Sequence, residues 1–345
     1  MIKRRVYYLI ICLATGIVSV MGLYFLSAEV KHRPNGFIRL LPPHFAEPVD
    51  HFDLKYNSFY TAGVTKNEIY LANYTTPYRL LRIGYNLKDT FTYVINWSKD
   101  IQIRKGALIA VDSNTVYLKD GISSVVYRAD LTDLNQVSNF KTPPFTASIN
   151  ASLGIFIYRS ISAGETNVLI EQNFGEKRFV QNPNLLQKQG EGLFSTDGIL
   201  VKVPGSSKFI YVYYYRNQFF CADSNLKLVY RAKTLDTISN VHIKVSPINS
   251  LHEITMAAPP LLVNRKACAS DKYLFVNSAL NANNEAWQIL KTMSIVDVYD
   301  LKNGQYKVSF YLPNFAGKKA SDFKVCGNTL FAIYDHFIVV YHLNF

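Results

Sequence analysis

Residues Gly198–Thr234 read GILVKVPGSSKFIYVYYYRNQFFCADSNLKLVYRAKT and decide the fold class. The stretch holds four short runs rich in Val, Ile, Tyr and Phe: Ile199–Val203, Phe209–Tyr215, Gln218–Asp223 and Leu228–Thr234. Turn-forming residues separate them: Pro-Gly-Ser-Ser, Arg-Asn and Ser-Asn-Leu. Runs of this length and composition, bounded by such residues, predict consecutive antiparallel strands. Four of them in so short a span make one meander, the unit of a propeller blade.

Working outward, the same pattern of a polar or turn residue followed by an apolar, aromatic run recurs. It appears at Asn67–Ala72, Asn114–Lys119, Gly154–Arg159, Lys208–Tyr213, Lys272–Asn277 and Asn328–Ile333. With Tyr70, Tyr117, Tyr158, Tyr211, Phe275 and Phe331 as markers, the gaps are 47, 41, 53, 64 and 56 residues by subtraction. Blades repeat at about 40–50 residues, with extra length placed in loops. The sequence therefore predicts an all-β protein, a β-propeller of six four-stranded blades, with five and seven left open. Asn303-Gly304, between Ser294–Asp300 and Gln305–Tyr311, predicts a two-residue hairpin. The sixth unit is one strand short: Asp322–Val325, Thr329–Tyr334 and Phe337–His342 precede the terminal Phe345. A ring without free sheet edges needs a fourth strand there. Phe37–Leu41, which has strand character, is the expected N-terminal donor.

The N-terminus carries Lys3, Arg4 and Arg5, then an uncharged run from Val6 to Leu26. About 20 apolar residues span a bilayer core, more than the usual h-region of a signal peptide. The basic tip is expected to stay cytoplasmic, leaving the bulk of the chain across the membrane. A cleaved signal is the alternative, although Leu26 before Ser27-Ala28 fits the A-x-A pattern poorly. The expected organisation is a cytoplasmic basic tip (1–5), a transmembrane anchor or signal (6–26), a Pro-rich stalk with the closing strand (27–50) and the propeller (51–345). This places the propeller in the periplasm if the cell is Gram-negative.

Composition excludes wholesale disorder: 49% of residues are hydrophobic, 14% aromatic and only 18% charged. The net charge of +12 arises from 37 Lys and Arg against 25 Asp and Glu. These cations are scattered, which reads as a solvated surface rather than a basic patch. No basic-aromatic RNA motif is present, and nucleic acid is not expected as a partner. The cysteines Cys12, Cys221, Cys268 and Cys326 form no CxxC pair. Cys221 reads as a small core residue, and a Cys268–Cys326 bridge is left open for an oxidising compartment.

The catalytic inventory is thin. None of the seven histidines forms HExxH, HxH or a His-Cys cluster, so zinc has no sequence support. His252-Glu253 in the long loop of the fourth unit reads as a polar loop tip, with an acid-base pair as the alternative. Asp112, Asp197 and Asp271 precede inner-strand candidates, and could together hold Ca2+ at a channel end for a hydrolase or lactonase. Local turn chemistry explains the same residues. Met256, Pro259, Pro260 and Leu261 form an apolar loop that either docks an envelope partner or plugs one end of the ring. The tyrosines from Tyr211 onward read as inter-blade packing, with a glycan platform as the rival. No GxSxG elbow or phosphate loop occurs.

FIYVYYYRNQFFCADSNLKLVYRAKTLDTIS, followed by ITMAAPPLLVN and MSIVDVYDL, resembles a group of envelope propeller-like proteins of Bacteroidota. The resemblance covers the C-terminal half, from Gly198 onward. It implies an envelope location and carries no catalytic residue across. GH…WD spacing and YWTD are missing, and Trp97 and Trp287 are too few for tryptophan-docked blades. The expectation is a membrane-anchored binding or scaffold module for an envelope protein or glycan.

Overall fold

A computed structural model describes residues 2–31, 35–97, 103–152, 154–162, 164, 166–174, 176–248 and 253–345. Helix α1 (Ile2–Lys31) is followed by strand β1 (Ala46–Asp53). Blade 1 comprises β2 (Phe59–Val64), β3 (Glu68–Asn73), β4 (Arg79–Gly84) and β5 (Thr90–Val94). Blade 2 comprises β6 (Leu108–Asp112), β7 (Thr115–Asp120), β8 (Val125–Asp130) and β9 (Asp133–Lys141). Blade 3 is built from β10 (Ala147–Ser152), β11 (Ile155–Ile161), β12 (Asn167–Asn173) and β13 (Phe179–Asn182). The stretch that decided the fold class is blade 4: β14 (Gly198–Lys202), β15 (Lys208–Tyr213), β16 (Gln218–Asp223) and β17 (Leu228–Lys233). An insertion with a small hairpin, β18 (Val245–Ile248) and β19 (Glu253–Met256), separates it from blade 5. Blade 5 contains β20 (Asn264–Ala269), β21 (Tyr273–Ser278), a short helix α2 (Ile289–Thr292), β22 (Met293–Asp300) and β23 (Tyr306–Pro313). Blade 6 adds β24 (Asp322–Cys326), β25 (Thr329–Tyr334) and β26 (Phe337–Leu343). Its fourth, outermost strand is β1. The protein is a six-bladed β-propeller preceded by an apolar helix.

The core follows from period-two alternation in the second strand of each blade. In β15, Phe209, Tyr211 and Tyr213 pack toward blade 3, whereas Ile210 and Val212 pack toward blade 5. Every blade repeats this, so the apolar interior is six layers, one between each pair of neighbours. Tyr211 and Tyr213 are buried and serve packing rather than glycan stacking. Cys221 is buried on the opposite face, with Ile210 and Val212, as a small apolar side chain.

The N-terminal closure is real, but its strand is not Phe37–Leu41. An outermost strand must hand the chain to the innermost strand of the next blade. Asp53 reaches Phe59 through a short loop; Leu41 would need the whole intervening segment. β1 pairs antiparallel with β26 from Ala46↔Leu343 to Asp53↔Phe337. Its sequence, AEPVDHFD, has weak β character, and Pro48 sits beside a register shift on an edge strand, where proline is tolerated. The contact is reinforced at both ends. His336 Nδ1 lies 2.8 Å from Asp53 Oδ1, and Phe45 meets the ring of Phe345 edge-on at 5.1 Å.

Phe37–Leu41 instead forms a strap along blade 5. Phe37 and Arg39 face inward while Ile38 and Leu40 stay exposed, so the alternation survives without a sheet partner. Arg39 is buried, donating through Nε to Asp297 at 2.7 Å and through Nη1 to Glu285 at 2.6 Å. Burial opposes its charge, but hydrogen bonds and Coulomb attraction from these carboxylates prevail and raise its pKa. A second correction concerns Asn303-Gly304. The hairpin exists, but β22 and β23 are joined by Leu301–Gln305, not by a two-residue turn. Gly304 takes φ +73° with no room for a Cβ, which would meet Ala232 at 2.4 Å.

Truncating Arg39 leaves two carboxylates buried without their cation. Arg39→Ala is expected to cost about 3–5 kcal/mol in urea unfolding. A chain lacking residues 35–53 should not unfold cooperatively at all; a normal melt from it would refute closure by β1.

Candidate functional site

The innermost strands β2, β6, β10, β14, β20 and β24 surround a central channel of about 1870 Å³. They run in the same direction, so the ring has two unlike ends. At one end they finish and turn into the second strands. At the other they begin, among the loops that link blades and those joining second to third strands. The strap belongs to the second end: Asn35 Nδ2 donates to the Asn281 carbonyl, and Thr237 Oγ1 donates to the Asn35 carbonyl at 2.6 Å.

The expected aspartate trio does not come together. Asp112 ends β6 at the first mouth, held by the two-residue turn Ser113-Asn114, where Ser113 adopts φ +55°. Its Oδ2 accepts from Lys202 Nζ at 2.6 Å, an ion pair from blade 2 to blade 4 that passes over blade 3. Asp271 is exposed in the turn after β20 at the same mouth. Asp197 precedes β14, which places it at the opposite end and outside the channel lining. There Arg159 Nη1 lies 3.2 Å from its Oδ1, and Asn167 donates to the same oxygen. Burial raises the Asp197 pKa, with Arg159 pulling it back. The separation has a simple origin. The apolar runs at Thr115–Lys119 and Tyr273–Asn277, expected to be innermost, are second strands, so the turns before them lie at the far end of the true inner strands. Among the described residues no three His, Cys, Asp or Glu side chains gather as a metal site.

Met256 ends β19 half-buried, Pro259 is exposed, Pro260 half-buried and Leu261 50% exposed. None of the four lines the channel. They belong to the insertion on the strap end, away from the mouth that bears Asp112. His252 lies outside the described residues. Cys268 and Cys326 both line the channel, and both are free thiols. Burial pushes the Cys268 thiol up to about 12.

A residue absent from the sequence-based candidates stands out on the wall. Neighbouring inner strands approach closely around the ring except β6 and β10, so blades 2 and 3 stand farther apart at the axis. Below this gap they meet where Phe145 N donates to the Gly121 carbonyl at 3.2 Å. Lys119, on β7, reaches into the gap and lines the channel with only 7% of its surface exposed. Its amine donates to the Ser148 carbonyl at 3.4 Å and lies 6.0 Å from the centre of the Phe156 ring. Burial pushes the Lys119 amine down to about 7, with Asp112 pulling it partly back up and Lys202 pushing it further down. The signal was present: a lysine inside TVYLKD, one of the recurring aromatic runs that mark the blades and the most buried strand of blade 2.

No family model matches the sequence, and no curated protein matches it. Solved structures with a similar fold include an exported protein from Bacteroides fragilis, 9% identical over 90% of this chain and 95% of that one, with a TM-score of 0.49. A member of the duf4221 family from Bacteroides vulgatus is 14% identical over 90% of this chain and 99% of that one, with a TM-score of 0.47. Virginiamycin B lyase from Staphylococcus aureus is 10% identical, covering 86% and 99%, with a TM-score of 0.48.

The lowered pKa of Lys119 has a signed consequence. An unfolded lysine titrates near about 10.4, so between pH 7 and that value the unfolded chain binds more protons and stability rises with pH. Lys119→Met should remove up to about 1.4 kcal/mol per pH unit of that slope. Urea unfolding of both proteins at pH 7, 8 and 9 measures it; parallel pH profiles would contradict a buried, depressed lysine.

Proposed function

We propose that this chain is a membrane-anchored, extracytoplasmic β-propeller acting as a non-catalytic binding module, with the central channel as its binding site. The observation that carries the reading is the channel itself. It is wide enough for an organic ligand at about 1870 Å³ and walled by six inner strands. Closed propellers leave such a cavity on a rigid frame, and binding groups on a rigid frame need little reordering. The Asp112–Lys202 pair crosses it near one mouth, and neither residue belongs to a nucleophile-base arrangement.

Anchoring rests on the uncharged segment Val6–Tyr24, which has a mean hydropathy of 2.2 and none of its surface buried against the propeller. Only residues 32–34 separate α1 from Asn35 of the strap, a reach of roughly 14 Å. The strap end of the ring therefore faces the bilayer, and the mouth bearing Asp112, Lys202 and Asp271 opens away from it. A removed signal sequence would give the same ring without the tether.

Two measurements test this reading. The full chain is expected in the membrane pellet after alkaline carbonate extraction, with its N-terminal residue intact by mass. Recovery in the supernatant, shortened at the N-terminus, would remove the anchor. Native mass spectrometry of the chain from its own membranes should show a bound small molecule that Ala110→Trp, a plug on the channel wall, displaces. Equal occupancy in the plugged variant would place the ligand elsewhere.

A further inference from the structure

We propose that the wall between blades 2 and 3 carries an anion site, built on Lys119 and Lys202, for an organic carboxylate with an apolar body. The proposal rests on the channel being the binding site and names the chemistry of what enters it.

The charge count is the first reason. Two ammonium groups, those of Lys119 and Lys202, share one carboxylate, that of Asp112, and Lys202 holds it at 2.6 Å. Asp120, next to Lys119, is committed elsewhere. Its Oδ1 accepts from the backbone of Ile122 and Ser123, and its Oδ2 from that of Arg104. Among the described residues blade 3 offers the amine no counterion: β10 supplies a carbonyl and β11 the face of Phe156. An ammonium has three protons to donate, and among the described residues that of Lys119 has one long bond. Buried cations are ordinarily paired and hydrogen-bonded. A carboxylate arriving through the channel would supply the missing charge and acceptors.

The surroundings decide the rest of the ligand. Leu108, paired with Lys119 across β6 and β7, lines the channel here with Ala110 and Phe145, above the ring of Phe156 near the amine. They suit an aromatic or aliphatic stem better than a bare inorganic ion. The gap between β6 and β10 gives such a stem entry to the wall.

Proton linkage makes the site testable. Empty, the Lys119 amine sits near pH 7 in its titration, under the influence of Asp112 from β6 and Lys202 from β14. A bound carboxylate favours the charged form, so binding above neutrality takes up a proton and weakens as pH rises.

The experiment is calorimetry on the full chain in lipid nanodiscs, with benzoate as probe, benzyl alcohol as its uncharged counterpart and empty nanodiscs as blank. Benzoate is expected to bind at pH 6.5 and benzyl alcohol much more weakly. Affinity should fall about tenfold by pH 8.5, with a proton taken up as read from buffers of different ionisation heat. Lys119→Met should lose at least tenfold at pH 6.5, its folding verified by the urea melt. Lys119→Arg, charged throughout, should bind with a flat pH profile. Equal binding of acid and alcohol, unchanged binding by Lys119→Met, or no benzoate binding at pH 6.5 would each overturn the anion site. The channel reading is judged separately, by the native masses of the Ala110→Trp variant.

Discussion

Ring closure is the constraint on which the structure depends. Six sheets packed side by side bury their faces only if the last meets the first, and a meander whose final blade lacks an outer strand exposes an edge. Pairing of β1 with β26 solves both problems at once, because one strand completes blade 6 and then leads directly into blade 1. Contacts between chain ends hold it there. Asn344 N donates to the Phe45 carbonyl, and Leu54 N donates to the His336 carbonyl at 2.7 Å. Folding therefore requires residues about 300 positions apart to meet, a costly long-range contact that secures the whole ring.

A closed ring has consequences for its interior. The apolar mass lies between blades, leaving the axis open, and the axial wall can bear groups that a solid core would reject. Arg39 and Lys119 illustrate two outcomes for a buried cation. Arg39 meets Asp297 and Glu285 and is a structural clasp. Lys119 meets a carbonyl and a ring, with its acidic neighbour already taken. The first is a satisfied network; the second carries an unbalanced charge beside open space, which is the usual mark of a place where something binds.

Much of this was legible in the residues. The strands of blade 4 fall within one or two positions of their expected limits, because Pro-Gly, Arg-Asn and Ser-Asn breaks are sharp and the runs between them are β-branched and aromatic. The blade count followed from the second strands, whose burial on both faces makes them the most apolar. That same prominence misled the site. Thr115–Lys119 and Tyr273–Asn277 read as innermost, which puts Asp112 and Asp271 in one ring of turns with Asp197, but they are second strands and Asp197 lies at the opposite end. The closing strand was misplaced for a related reason: AEPVDHFD is an exposed edge strand with little apolar signature, whereas FIRLL has the signature but serves as a strap.

The sequence alone determined the repeating meander, the propeller class, the need for an N-terminal strand and the apolar helix at the start. Those features depend on local alternation and turn chemistry, which neighbouring residues encode. Only the tertiary structure decided which strand closes the ring, which end each turn occupies and which buried charges find partners. These depend on residues far apart in the chain arriving at the same point, and no pattern within a single blade specifies that meeting.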